Sequence, residues 1–162
     1  MCSSDIKTKF ASCQGKSTIS SSLQMTDVHD QQTRSYNMSQ IKARNTKPEL
    51  FVRKSIFSKG FRYKLYDKNL PGKPDIVLPK YKTVVFINGC FWHGHKNCQK
   101  FVLPKSRSEW WLRKITANIT NDKKNIALLQ KMGWKVIVVW ECQLNNAKSE
   151  QTINRIVRLI KH

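Results

Sequence analysis

The sequence predicts an α/β fold, a mixed β-sheet with helices on its faces, and three observations predict it. Short runs rich in β-branched and aromatic residues, which favour strands, occur at residues 61–66, 75–78, 81–88 and 134–140. Segments with helical spacing and helix-start signals lie before, between and after these runs. The resulting order, α-α-β-β-β-α-β-α, is typical of a sheet with helices packed on it.

The first two helices are predicted from local signals. Residues 30–43 favour a short helix, and Thr46-Lys47-Pro48-Glu49 is the start of a second one. Thr46 is the expected N-cap, Pro48 fits the first turn, and Glu49 completes a capping box. Gly60 is placed to end this helix, since glycine adopts the left-handed conformation at that position.

The second half of the chain predicts two more helices around one strand. Ser106-Arg107-Ser108-Glu109 is another capping box, opening a helix that Gly133 ends. The apolar run from Trp134 to Trp140 predicts a central, buried strand. A final amphipathic helix follows, with apolar groups spaced i, i+3, i+4 and i+7 at Ile153, Ile156, Val157 and Ile160.

Length and composition indicate one globular domain. The chain has 162 residues, enough to bury a core. Residues 1–26 are rich in Ser, Thr and Gln without an apolar period, so we expect a disordered extension before a domain of residues 27–162. No apolar run approaches a membrane span and the N-terminus lacks a secretory pattern, which predicts a cytoplasmic protein without a membrane partner.

The charge of the chain predicts a polyanionic partner. Thirty Lys and Arg residues against ten Asp and Glu give a formal net charge of +20. Such an excess of positive charge favours nucleic acid as the partner, although a ribosome-associated or membrane-surface protein would carry a similar excess.

Four of the Cys and His residues have the spacing of a zinc site. Cys90, His95 and Cys98 lie close together in sequence, and Cys142 follows a later predicted strand. Three thiolates and one imidazole are a closed, structural zinc ligand set. Buried cysteines without a metal are the alternative, and His93 is a rival ligand. An odd total of five cysteines argues against a disulfide framework.

A second group of residues could perform hydrolysis. Asp75 follows Pro74 at the start of a strand, where its carboxylate could hold Mg²⁺ against a phosphodiester. His93 could take a proton from the attacking water near neutral pH. The alternatives are a turn aspartate and a solvent-exposed histidine. Glu49 is left equally open, as a group that reaches the metal-bound water or only caps its helix.

Aromatic residues alternate with cations around the Cys/His segment. Phe91-Trp92 lies within it and Trp110-Trp111 opens the next helix, among several lysines and arginines. Aromatic side chains of this kind can unstack bases while cations hold the backbone. Core packing is the alternative for at least one Trp of each pair, and Phe91 and Trp92 are the better candidates for contact with bases.

Four ordered motifs resemble one known family, the very short patch repair (Vsr) endonucleases, which nick DNA at T:G mismatches. The resemblance runs from about Asp27 to Leu144 and is carried by Thr33-Arg34-Ser35-Tyr36-Asn37-Met38, Leu70-Pro71-Gly72-Lys73-Pro74-Asp75, Gly89-Cys90-Phe91-Trp92-His93-Gly94-His95 and Val139-Trp140-Glu141-Cys142. It implies a restriction-endonuclease-like fold with a structural zinc site.

The resemblance also implies roles for individual residues. Mg²⁺ would be bound by the carboxylate of Asp75 and the main-chain carbonyl of Ile87, with His93 and Glu49 as the other catalytic-site residues. Zinc would be bound by Cys90, His95, Cys98 and Cys142. The residues placed to intercalate beside the mismatch would be Phe91, Trp92 and Trp111 from one groove, and Met38 and Ile41 from the other.

The implied activity is Mg²⁺-dependent nicking of duplex DNA 5′ to the T of a T:G mismatch, which starts very short patch repair. The expected partners are double-stranded mismatched DNA and, functionally, a DNA cytosine methyltransferase and mismatch-repair proteins. We expect a monomer associated with the bacterial nucleoid. The alternatives are a sequence-specific restriction-type endonuclease and a non-catalytic mismatch-binding protein. The presence of both Asp75 and His93 argues against the non-catalytic protein.

Overall fold

A computed structural model describes residues 31–40, 44–145 and 147–162. The helices are α1 (Gln31–Ser39), α2 (Lys47–Ser58), α3 (Ser108–Lys131) and α4 (Ser149–Lys161), and the strands are β1 (Ile76–Leu78), β2 (Thr83–Asn88) and β3 (Lys135–Trp140). The predicted extension of residues 1–26 and the predicted intercalating residue Ile41 lie outside the described residues. No helix in the described ranges is both long enough and apolar enough to span a membrane.

The three strands form one mixed sheet, as predicted, and their order is β1-β2-β3. β1 is antiparallel to β2, with Val77 opposite Val84, and β2 is parallel to β3, with Val85 opposite Ile137. The prediction that residues 134–140 form the central strand is wrong, because β2 is central and β3 lies at an edge of the described sheet. The apolar run in β3 arises because its alternate residues meet apolar clusters on both faces of the sheet.

Helices cover both faces of the sheet, as the α/β prediction requires. On one face, buried residues of α2 and α4 pack against all three strands in the main core, among them Val52, Ile56, Ile156 and Val139. On the other face, Leu129 of α3 belongs to a smaller cluster with residues of β1 and β2. The predicted apolar face of α4 is confirmed, since Ile153, Ile156 and Ile160 are all buried.

The N-cap predicted at Thr46 is present, but only half of its capping box is, because the Glu49 carboxylate accepts from the N–H of Asn45 rather than from that of Thr46. The capping box predicted at Ser106 is absent. Thr46 caps α2, where its hydroxyl oxygen accepts a hydrogen bond from the N–H of Glu49, and Gly60 follows the helix at φ +88°. The N-cap of α3 is Arg107 rather than Ser106. Arg107 has a left-handed backbone with φ of +54°, so the right-handed helix begins only at Ser108.

Residues 61–66 were predicted to form a strand, and this prediction is wrong. Only Lys64 pairs with the sheet, through an isolated antiparallel bridge to Val77. Tyr66 then adopts φ +48°, a left-handed conformation that ends the extended backbone. Its hydroxyl group donates a hydrogen bond to Glu49 instead, so a tertiary contact overrides the local strand propensity.

Candidate active site and metal centre

Two sites form where β2 and β3 end. These strands are parallel and their last residues, Asn88 and Trp140, pair with each other, so the loops that follow them leave the same edge of the sheet. One site is a cavity of about 800 Å³. The other is a cluster of Cys and His side chains.

The cavity collects the three residues predicted to act in hydrolysis. It is lined by Asp75, His93 and Glu49, together with Ile87 and an acidic residue of α3, Asp122. Two cations, Arg44 and Lys73, line it as well. Carboxylates and an imidazole thus face one space that is large enough for part of a nucleotide. The two cations could bind a phosphate group there.

Asp75 lies beside the end of β2 because β1 runs antiparallel to it. Ile76 is opposite Val85, and the Asp75 Oδ2 atom accepts a hydrogen bond of 2.7 Å from the N–H of Ile87. Burial raises the pKa of Asp75 from 3.8 to about 6, an effect that the Ile87 hydrogen bond opposes and the negative charge of Glu49 reinforces. The buried carboxylate is therefore less stable in its ionised form than a solvated one, and a divalent cation bound in this oxygen-rich setting would stabilise it.

His93 is held by a tight turn and by α3. The N–H groups of His93 and His95 donate to the carbonyl oxygens of Gly89 and Cys90, at 3.2 and 2.9 Å. Gly94, at φ +60°, lets α3 approach closely, since a Cβ there would lie 2.6 Å from the Cδ1 atom of Ile119. The turn leaves the imidazole facing the cavity.

Asp122 is the partner of His93 that sequence reasoning missed. The Nδ1 atom of His93 lies 2.6 Å from Oδ2 of Asp122, with both side chains 31% exposed. Because a carboxylate can only accept, this contact places the proton on Nδ1 and leaves Nε2 as an acceptor in the neutral ring. The signal in the sequence was weak, since Asp122 is one acidic residue within a mostly basic helix, 29 residues from His93.

Glu49 both caps its helix and lines the cavity. The residue is 5% exposed. Its carboxylate accepts hydrogen bonds from Arg53 Nη2 at 2.7 Å and from the Tyr66 hydroxyl at 2.6 Å. The N–H of Asn45 and the Thr46 hydroxyl add two more, at 3.0 and 2.9 Å. Sequence reasoning identified Glu49 but missed Arg53, although Arg53 lies in the same helix at the i, i+4 spacing of a helical ion pair. It also missed Tyr66, which no spacing rule connects to Glu49.

The four residues predicted to bind zinc lie together. The ligand atoms of Cys90, His95, Cys98 and Cys142 are all within 4.8 Å of one another. Cys90 follows β2, and Cys142 lies in the 3-10 helix Glu141–Leu144 that follows β3. His93, the rival ligand, lies outside this cluster and contacts Asp122.

The donor set and its spacing fit a tetrahedral zinc ion. The Nδ1 atom of His95 lies 3.5 Å from Cys90 Sγ and 3.4 Å from Cys142 Sγ. Zinc–sulfur and zinc–nitrogen bonds of about 2.3 and 2.0 Å in a tetrahedron separate those atoms by about 3.5 Å. Burial raises the pKa of the Cys90 thiol to about 12, so its thiolate form requires a bound cation.

Trp140 fixes the orientation of the His95 ring. The two rings stack with centroids 4.1 Å apart and an interplanar angle of 7°. Trp140 is the last residue of β3, so the sheet itself supports the imidazole. Such support of a ligand is a regular feature of metal sites.

The aromatic residues predicted to intercalate pack on one another. Phe91 lies 5.2 Å from both Trp92 and Trp111, between ring centroids, and the two Trp rings are 5.9 Å apart. Asn118 of α3 donates a hydrogen bond of 2.8 Å to the carbonyl oxygen of Trp92. All three rings are only partly buried, so they form a supported, accessible aromatic cluster. Met38, in α1, is 44% exposed.

Comparisons with known proteins give a consistent result. The family described as "DNA mismatch endonuclease Vsr" matches residues 26–100. The type II nicking enzyme V.NmeAIP of Neisseria meningitidis serogroup A is 55% identical over 138 residues, which cover 85% of this chain and 98% of that enzyme. The type II nicking enzyme V.XorIIP of Xanthomonas oryzae pv. oryzae is 47% identical over 75% of this chain and 89% of its own length. The DNA mismatch endonuclease Vsr of Escherichia coli is 44% identical over 74% of this chain and 76% of its own length.

Proposed function

The chain belongs to the Vsr family of DNA mismatch endonucleases, and on this premise we propose that it nicks duplex DNA 5′ to the T of a T:G mismatch. The observation that carries the proposal is the cavity in which Asp75, His93 and Asp122 face one space. We propose further that the three-stranded sheet with its flanking helices is the core of a restriction-endonuclease-like fold. The names of two relatives, both nicking enzymes, favour cleavage of one strand.

Asp75 and the main-chain carbonyl of Ile87 are the proposed ligands of Mg²⁺. Both residues line the cavity, and burial raises the pKa of Asp75, which favours pairing of its carboxylate with a cation. When bound, Mg²⁺ would supply positive charge to the phosphate oxygens and to the attacking water. Arg44 and Lys73 line the same cavity and would bind the negatively charged backbone.

His93 is the proposed general base. Its Nδ1 atom is held by Asp122 at 2.6 Å, which orients the ring and leaves Nε2 free to accept a proton from the attacking water. The developing imidazolium would be stabilised by the Asp122 carboxylate, as in other His–Asp pairs. Glu49 is the proposed third catalytic-site residue and would accept a hydrogen bond from the water.

Zinc, held by Cys90, His95, Cys98 and Cys142, would be structural. Four protein ligands leave no open position for a substrate. Binding of the ion would tie the loop after β2 to the end of β3 and so fix Phe91, Trp92 and His93, which lie between two of the ligands in sequence.

The aromatic cluster gives a physical basis for mismatch recognition. A wobble pair stacks and pairs less well than a matched pair, so unstacking it costs less free energy. We propose that Phe91, Trp92 and Trp111 insert beside the mismatch from one groove, and Met38 and Ile41 from the other. The net charge of +20 would hold the DNA backbone without regard to sequence.

We expect a monomer that acts in the nucleoid alongside mismatch-repair proteins. A DNA cytosine methyltransferase creates there the 5-methylcytosines whose deamination gives T:G pairs.

A strand-resolved cleavage assay tests the proposed function. Duplexes with a single T:G pair and matched duplexes of the same sequence carry a different label on each strand and are incubated with Mg²⁺ or with EDTA. The expected result is one Mg²⁺-dependent nick 5′ to the T, with His93→Ala binding the duplex without cutting it. Cleavage of both strands in the matched duplex would indicate a restriction-type enzyme, and binding without cleavage by the wild type a mismatch-binding protein.

A further inference from the structure

Among the described residues that line the cavity, Glu49 has the most heavily hydrogen-bonded side chain. Its Oε2 atom accepts from three donors: Arg53 Nη2 at 2.7 Å, the Tyr66 hydroxyl at 2.6 Å and the N–H of Asn45 at 3.0 Å. Its Oε1 atom accepts from the Thr46 hydroxyl at 2.9 Å. A carboxylate oxygen has about two lone-pair sites. Oε2 is therefore saturated by protein donors, while Oε1 keeps capacity for one further hydrogen bond.

Helix capping alone does not require this arrangement. The Thr46 hydroxyl and the N–H of Asn45 already tie Glu49 to the residues at the start of α2. Arg53 and Tyr66 add a buried cation and a hydroxyl to the same oxygen, and Arg53 is only 4% exposed. Its Nε atom is buried without a hydrogen-bond partner in the described part of the chain. Replacing Glu49 and Arg53 together by apolar residues would avoid the cost of burying this ion pair, so stability is a weak explanation for the pair.

Tyr66 is held rigidly in place for its contact with Glu49. Its backbone has a φ of +48°, which is unfavourable for a tyrosine. The guanidinium groups of Arg44 and Arg53 each lie 4.9 Å from the centroid of its ring. Arg53 also donates a hydrogen bond to the Tyr66 hydroxyl oxygen, so contacts with both arginines hold the Tyr66 side chain.

We propose that Tyr66, together with Arg53, is a positioning residue of the nuclease site. The pair occupies Oε2 of Glu49, keeps the carboxylate immobile, and leaves Oε1 as the one oxygen able to accept a hydrogen bond from the attacking water. The acceptor oxygen of Glu49 is then already in place when the reaction starts, and the side chain loses no rotational freedom in the transition state. Such preorganisation lowers the activation barrier. This inference rests on the proposed function and deepens it.

Tyr66→Phe is the variant that tests the proposal, because it removes one hydroxyl group and leaves the ring that contacts the two arginines. We expect the single-turnover rate of nicking to fall about 10- to 100-fold, as small errors in placing a catalytic group cost this much. Affinity for the T:G duplex, measured with Ca²⁺ in place of Mg²⁺, should not change. Tyr63→Phe is the matched control, since Tyr63 packs against the main core and is absent from the described lining of the cavity.

A double-variant cycle distinguishes positioning from general stabilisation. If Tyr66 acts through Glu49, then Tyr66→Phe should cause little further loss of rate in a Glu49→Gln background, in prolonged single-turnover incubations well below the melting temperature. An unchanged rate for Tyr66→Phe, or the same fractional loss in both backgrounds, would overturn the inference while leaving the proposed function intact. Absence of T:G nicking by the wild type would instead refute both.

Discussion

The Nδ1 atom of His93 lies 2.6 Å from the Oδ2 atom of Asp122, across 29 residues of sequence. This pairing depends on α3 passing over the loop that follows β2, where Gly94 allows close approach to Ile119. It fixes the orientation and the tautomer of an imidazole that would otherwise rotate freely. The consequence for catalysis can be measured directly.

We predict that Asp122→Asn lowers the nicking rate about 10²- to 10⁴-fold with little effect on DNA binding, because a mispositioned general base loses most of its contribution. The measurement is single-turnover cleavage of a T:G duplex, with binding followed by fluorescence anisotropy. Glu150→Gln is the control for loss of one negative charge, since Glu150 is an exposed residue in the first turn of α4. Equal rates for Asp122→Asn and the control would exclude a role for the pair.

A second prediction concerns stability and the buried carboxyl group of Asp75. Its pKa rises from 3.8 to about 6 on folding, mainly through burial. Between these pH values the folded chain holds a proton that the unfolded chain has lost, so stability falls as pH rises through this window and the penalty is complete above it. We therefore expect Asp75→Asn, in EDTA at about pH 8, to raise the free energy of unfolding by about 1–3 kcal/mol.

Urea denaturation of both proteins checks this value. At about pH 4.5 the gain should shrink, because the wild-type carboxyl group is then mostly protonated in the folded state. The same variant should lose nicking and any stabilisation by Mg²⁺. A gain that does not vary with pH would argue that charge burial is not its cause.

The third prediction concerns the Cys/His cluster. Cys142→Ser should lose one zinc per chain in elemental analysis and destabilise the loop that carries His93, because a serine hydroxyl is a poor replacement for a thiolate ligand. Cys13→Ser, a cysteine outside the described residues, should keep the zinc content of the wild type. Unchanged metal content in Cys142→Ser would remove Cys142 from the ligand set.

The fourth prediction concerns recognition. Trp92→Ala should reduce the preference for T:G over matched duplex by about 10-fold, the order of magnitude of one base–aromatic stacking contact. Competition binding between the two duplexes gives this ratio. Phe57→Ala, which removes a 53% exposed aromatic residue of α2, should leave it unchanged. Equal loss of affinity for both duplexes would assign Trp92 to nonspecific binding.

The sequence by itself determined the features that depend on near neighbours. The N-cap at Thr46, the apolar face of α4 and the strand after Pro74 follow from spacing and side-chain chemistry within one or two turns of chain. The Cys and His cluster was also predictable, because its members carry rare chemistry and directly follow two strands of the sheet. Helix and strand type were correct wherever such local signals agreed.

Only the tertiary structure decided which side chains meet across the sheet and the helices. The pairing of His93 with Asp122, and the bond from Tyr66 to Glu49, depend on how α3 and the segment before β1 pack, which no spacing in the sequence encodes. The same packing overrode local preference at residues 61–66, where Tyr66 leaves the extended conformation and bonds Glu49. Local propensities amount to less than about 1 kcal/mol per residue, so a few buried hydrogen bonds to a charged group outweigh them.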